Sequence, residues 1–141
     1  MDQTQMKEKI ESILQRNPFS QLLGLEILEI REGYARGRIA MEKRFENVHG
    51  GMHGGCSYAL ADTLCGVASS TYGNYTTTVN GGINYLKPIC NTQYAYCEAQ
   101  AVRQGGTIGV YDATITNDEG DVLATATFTY YRTSTPIPDF Q

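Results

Sequence analysis

The sequence predicts an α+β fold in which a six-stranded antiparallel sheet curls around one long helix, and three observations carry that reading. Residues 56–72, CSYALADTLCGVASSTY, are apolar or small on nearly every face, and a helix that is hydrophobic all round belongs in an interior. Two strand-like segments precede it and four follow. One buried helix with six strands is satisfied when the sheet wraps the helix, the hotdog arrangement; an open α+β sandwich would leave part of that helix facing water.

Taken in order, residues 4–16 read as an amphipathic helix, with Met6, Ile10, Ile13 and Leu14 at helical spacing and Asn17-Pro18 as its stop. Phe19 to Leu23 makes a short turn or helix ahead of Gly24. Residues 25–31 and 34–41 are strands joined at Glu32-Gly33 in the manner of a hairpin. Residues 42–55 form a glycine-rich loop with both histidines of the chain. Beyond the buried helix, residues 75–89 form a long strand interrupted at Gly81-Gly82, where a bulge or sharp coil is expected. Residues 92–103 alternate, Tyr94, Tyr96, Glu98 and Gln100 on one face and Ala95, Cys97, Ala99 and Ala101 on the other. Gln104-Gly105-Gly106 turns the chain into a strand over 108–116, Asn117–Gly120 turns it again, and 122–133 is the last strand. The tail, TPIPDFQ, is expected to be extended. A single domain over 1–141 is expected, with its core spanning about 20–132.

Composition narrows the function classes. The 141 residues carry 11 Lys and Arg against 15 Asp and Glu, a net charge of −4, with the basic residues scattered; that argues against nucleic acid but leaves room for a substrate with a few phosphates. The first fifteen residues are polar and lack the apolar stretch of a signal peptide, and no run is long enough to span a bilayer. Cys56, Cys65, Cys90 and Cys97 show no CxxC pairing and read as free, buried thiols of a reducing compartment. A cytoplasmic location without membrane association is expected.

Asp62 is the most informative residue. It stands among Leu60, Ala61, Leu64, Cys65 and Val67, where an ionised group costs several kcal/mol unless it has partners; it therefore has a structural partner or a task. His53-Gly54-Gly55 stands directly before the helix, where unobstructed N–H groups at a helix N-terminus and the helix dipole suit a carbonyl oxygen that becomes an oxyanion; the glycines equally permit a tight loop-to-helix turn. Gly54 and Asp62 are eight residues apart, about 12 Å along a helix, so they cannot both reach one carbonyl from the same helix. Two helices packed antiparallel about a two-fold axis would bring Gly54 of one to Asp62 of the other, and a shared site demands at least a dimer. Asn47 has an amide that could hold a carbonyl or orient water, or it simply forms a turn. Thr78 could orient water beside Asp62, although it lies in a threonine run of plain strand-forming character. His49 and His53 are four apart, but in a loop and without further ligands, so no metal is expected.

Together these residues resemble the PaaI-type branch of the hotdog thioesterases, the phenylacetate-degradation thioesterase family, whose pattern is N-x-x-G-x-x-H-G-G-x-x-x-x-L-A-D. Here Asn47, Gly50, His53, Gly54, Gly55, Leu60, Ala61 and Asp62 occupy every fixed position, and Thr78-Val79 with Asn84-Tyr85-Leu86-Lys87-Pro88 resembles the family's following strand. The chain departs from the pattern at Asn80-Gly81-Gly82, where the family usually has an acidic or apolar residue and no glycine pair. The resemblance implies an acyl-CoA thioesterase, dimeric or a dimer of dimers, with no cofactor beyond the CoA of its substrate. It implies Asp62 as nucleophile or general base and the Gly54 N–H as the group that polarises the thioester carbonyl. Asn47 and His53 would position the ester, and Thr78 the water. For CoA, the turn at Gly105, Gly106 and Thr107 with Arg103, Lys87 as a further cation, and Gly55 are the candidates, since free N–H groups near positive charge suit phosphates; a glycine hairpin is the ordinary alternative. Two other readings compete: a non-catalytic acyl-CoA-binding module, which would need no carboxylate on the helix, and a dehydratase of hydroxyacyl thioesters using His53 with Asp62.

Overall fold

The computed structural model describes residues 1–138 and Phe140; the expectation for the tail at Asp139 and Gln141 lies outside these. Helix α1 spans Gln3–Gln15 and opens with a capping box: Asp2 Oδ1 accepts the Gln5 N–H at 2.8 Å and Gln5 Oε1 accepts the Asp2 N–H at 3.0 Å. Asn17 caps the short α2, Pro18–Leu23, with proline at the first position, and Gly24 ends it in the left-handed region (φ +66°). Strands β1 (Glu26–Arg31) and β2 (Tyr34–Ala40) form the expected hairpin. The central helix α3 is Gly54–Ser70, followed by β3 (Asn74–Tyr85), β4 (Tyr94–Gln104), β5 (Ile108–Thr116) and β6 (Val122–Pro136). The six strands make one antiparallel sheet in the order β1-β2-β4-β5-β6-β3. The sheet curls around α3, so the fold is the hotdog arrangement that the element order predicts.

The inner face of the sheet and α3 share one core. Leu60, Leu64 and Cys65 of the helix are buried together with Ile39, Cys97, Ile115 and Phe128 of the strands. The alternation expected for β4 holds: Ala95, Cys97 and Ala99 point inward, Glu98 and Gln100 outward. Burial of this apolar set is the dominant stabilising term, on the order of 1.5–3 kcal/mol for each large side chain.

Four details differ from the sequence reading. The helix starts at Gly54 rather than Cys56, because His53 acts as its N-cap and Nδ1 accepts the Gly55 N–H at 2.8 Å. It is not enclosed all round: Asp62, Thr63, Gly66 and Ser70 stay half-buried on a face that the sheet does not cover. The thiols are all free, yet Cys90 is exposed and Cys56 only half-buried; Cys65 and Cys97 alone sit in the core. In β3 the irregularity falls between Thr78 and Asn80, just ahead of the glycine pair. There a Cβ on Gly81 would collide with the Phe128 ring and the Tyr58 hydroxyl, so the residue is glycine to let those rings approach. Among the described residues no helix is long and apolar enough to cross a membrane.

Candidate active site

Asp62 projects from the third turn of α3 into an open cleft of about 290 Å³ bounded by α1, α3 and β3. No Lys, Arg or His pairs with its carboxylate among the described residues. Two hydroxyls hold it instead, both at Oδ1: Thr78 Oγ1 donates at 2.8 Å and Tyr130 Oη at 2.6 Å. The Tyr130 hydroxyl also lies 2.5 Å from the Asp62 carbonyl oxygen, and since a phenol has one proton to give, it ties the side chain to its own backbone and fixes its rotamer. Oδ2 has no partner among the described residues. The carboxylate is thus differentiated, one oxygen saturated and the other turned to the cleft.

Tyr130 is the residue that sequence reasoning missed. It lies on β6, 68 positions from Asp62, in a run of alternating threonine and tyrosine with nothing to mark it. Its ring is buried at 3% exposure and packs edge-on against Tyr111. Burial, then the hydrogen bond to Asp62, pushes its hydroxyl far above the ordinary phenol range, so it stays protonated and a donor. Burial likewise raises the Cys65 thiol on the same helix and lifts Cys56 to about 11, which leaves neither thiol suited to act as a nucleophile at neutral pH.

The other candidates gather at the opposite end of the helix. Among the described residues the Gly54 N–H donates to nothing, as expected of the first turn of a helix. The Gly54 carbonyl accepts the Tyr85 hydroxyl at 2.6 Å, and a Cβ there would sit 3.0 Å from the end of the Tyr85 ring, so a side chain at this position would press that ring aside by a few tenths of an ångström. The Gly55 N–H is taken by His53, which leaves that glycine no donor to offer. Asn47 Oδ1 accepts the His49 and Gly51 N–H groups at 2.8 and 3.3 Å; it forms the turn of the loop and lines a second cavity of about 580 Å³ with Gly54, Tyr85 and Lys87.

Lys87 therefore belongs to the Gly54 end. Arg103, Gly105, Gly106 and Thr107 do not: they form the β4–β5 hairpin, closed by Gly105 N–H to the Ile108 carbonyl at 2.9 Å. Strand register places Ile108 beside Tyr131, and Tyr131 beside Thr77, so this hairpin lies toward the Asp62–Thr78 end of the sheet. Within one chain the structure brings Asp62, Thr78 and Tyr130 together, and separately Gly54, His53, Asn47 and Lys87.

Comparison with known proteins agrees with this fold. The chain is similar over 117 residues to the acyl-coenzyme A thioesterase PaaI of Escherichia coli K12, at 26% identity with 83% of this chain and 84% of the relative covered. The solved structure of the E. coli PaaI protein from the phenylacetic acid degradation operon superposes with a TM-score of 0.89, covering 95% of this chain and 97% of that one at 24% identity. A thioesterase of Streptococcus pneumoniae TIGR4 solved with coenzyme A matches at 31% identity and a TM-score of 0.76, over 79% of this chain and 88% of its own. The family description of the thioesterase superfamily matches residues 49–124. That stretch is more than half of the 141 residues and includes Gly54, Asp62, Thr78 and Lys87, with Asn47 and Tyr130 just outside it, so the chain belongs to the thioesterase superfamily, with its hotdog fold.

Proposed function

We propose that the protein hydrolyses the thioester of an acyl- or aryl-acyl-CoA to the free acid and CoA, with each site assembled from two copies of the chain. The observation that carries the reading is the Asp62 carboxylate: unpaired by any cation, anchored through one oxygen by Thr78 and Tyr130, and free at the other oxygen in a cleft. Placed beside a thioester, Oδ2 can take a proton from water as the water oxygen attacks the carbonyl carbon, or can itself attack to give a mixed anhydride that water then opens. In both routes the C–S bond breaks and CoA leaves as the thiol. The Gly54 N–H is the donor for the carbonyl oxygen, with Asn47 and His53 shaping the loop that presents it. Lys87 and the hairpin with Arg103, Gly106 and Thr107 supply the positive charge and N–H groups for CoA phosphates, while the Gly105 N–H stays on the Ile108 carbonyl.

Two features support the shared site. Strand β3 is a sheet edge twelve residues long, with Thr77 to Asn80 and Val79 exposed, and an unpaired edge of that length invites a second strand. The midpoint between Gly54 and Asp62 on α3 is Tyr58, and the midpoint between Thr78 and Tyr85 on β3 is the Gly81-Gly82 pair. Those midpoints touch, Tyr58 Oη lying against Gly81. One two-fold axis passing beside that contact, level with it, would set Gly54 of each copy near Asp62 of the other, on helix and strand alike.

Replacing Asp62 with Asn keeps the shape and removes the base. Hydrolysis of a CoA-ester panel by the Asn variant is expected to fall at least a thousandfold with the oligomer unchanged in light scattering; full activity would overturn the assignment. A non-catalytic binding module has no use for a carboxylate differentiated in this way.

A further inference from the structure

The cleft beside Asp62 has walls that the chemistry of hydrolysis does not require. Helix α1 lies over it with Ile10, Ile13 and Leu14, Gly66 and Val67 of α3 form the floor, and Ile137 of the tail closes the side. The roof is fixed: Ile10 is buried at 2% exposure in the common core, and Ile137 is held by its N–H to the Gly73 carbonyl at 2.8 Å. Among the described residues Asp62 is the only carboxylate lining the cleft, and no Lys, Arg or His lines it. An anionic group such as a phosphate or a second carboxylate would meet only the like charge of Asp62. The second cavity differs in kind: it is twice as large, holds Lys87 and His49, and includes the Gly54 end of the site.

We propose that the cleft under α1 is the acyl pocket, that it takes an uncharged acyl or aryl-acyl group of on the order of ten non-hydrogen atoms, and that α1 sets the chain length accepted. This rests on the thioesterase reading. The CoA arm then leaves toward the second cavity, whose cation suits it. Ile13 is a specificity residue from above and Gly66 from below. At Gly66 a Cβ would meet the Tyr130 ring at 3.6 Å, ordinary contact, so a side chain there is tolerated and projects into the space the acyl group would use.

The test is a set of straight-chain acyl-CoA esters from two to twelve carbons, with phenylacetyl-CoA, assayed on the full chain as wild type, Ile13→Ala and Gly66→Leu. The quantity read is the ratio of kcat/KM for long to short esters within each protein, which is unaffected by the fraction folded. Each methylene buried is worth about fourfold. The ratio of twelve-carbon to four-carbon ester is expected to rise at least tenfold in Ile13→Ala and to fall at least tenfold in Gly66→Leu. Active variants whose ratios stay within twofold of wild type would overturn the pocket and leave the thioesterase reading standing. A wild type that hydrolyses no ester of the set would overturn that reading, and the pocket with it.

Discussion

Tyr130 decides how Asp62 presents itself. A hydrogen bond to an ionised acceptor is worth roughly 1.5–3 kcal/mol, about twice a neutral one, and here it also locks the rotamer. Replacing Tyr130 with Phe removes the hydroxyl while keeping the buried ring. The expected result is a kcat lower by about ten- to hundredfold with KM nearly unchanged, because the interaction orients the reacting group rather than binding substrate. Among the described residues no other charged group lines the cleft beside Asp62: α1 presents Ile10, Ile13 and Leu14, and β3 presents Thr76 and Thr78. Thr78→Val should give a smaller fall in kcat of the same kind, and an unchanged kcat in both variants would refute this role.

At the scale of elements, β3 carries more than its share. It is an edge of the sheet, it delivers Thr78 to Asp62, and its Gly81 admits the Tyr58 and Phe128 rings, which meet edge-on at 5.1 Å between centroids. Gly81→Ala places a methyl group into those rings; a loss of about 1–3 kcal/mol is expected from overpacking, measured by urea denaturation, together with weaker self-association in light scattering. Much of this architecture is legible in the sequence. Periodicity and turn residues placed every strand within a few positions, and the lone carboxylate among Leu60, Ala61 and Leu64 marked the site. What stayed hidden depends on contacts across distant segments. Tyr130 reaches Asp62 only because β6 pairs with β3, a register no local pattern records. The N-cap role of His53 was equally invisible, because glycines at positions 54 and 55 argue for loop until a side chain closes the first turn.

For the whole molecule the proposed shared site makes a complementation test possible. Asp62→Asn removes the proposed base, and Gly54→Pro removes the N–H at the first helical position, which proline otherwise suits. Each homodimer would be inactive. In a heterodimer one of the two sites keeps both groups, so an equal mixture allowed to exchange should regain about a quarter of wild-type activity. A mixture that stays inactive would place each site within one chain. Stability should also respond to pH as a whole. Tyr130, Tyr111, Cys65 and Cys97 all have folded-state values raised mainly by burial, so the native state keeps protons that the unfolded chain releases above about pH 8.5–10. That stabilisation is complete below this window and falls away progressively as pH rises from it toward the raised folded-state values, so thermal midpoints should hold steady near neutrality and fall above about pH 9.

The proposed two-fold axis would run beside the contact of Tyr58 with Gly81. A side chain next to such an axis is opposed by its own image, so any replacement at Tyr58 would be introduced twice into a single contact. A charge there would face an identical charge, and an enlarged ring an identical ring. Separation of the copies by a single Tyr58→Lys or Tyr58→Glu exchange should therefore be far easier than by the same exchange at Val79 or Tyr85, where the opposing residue is a different one.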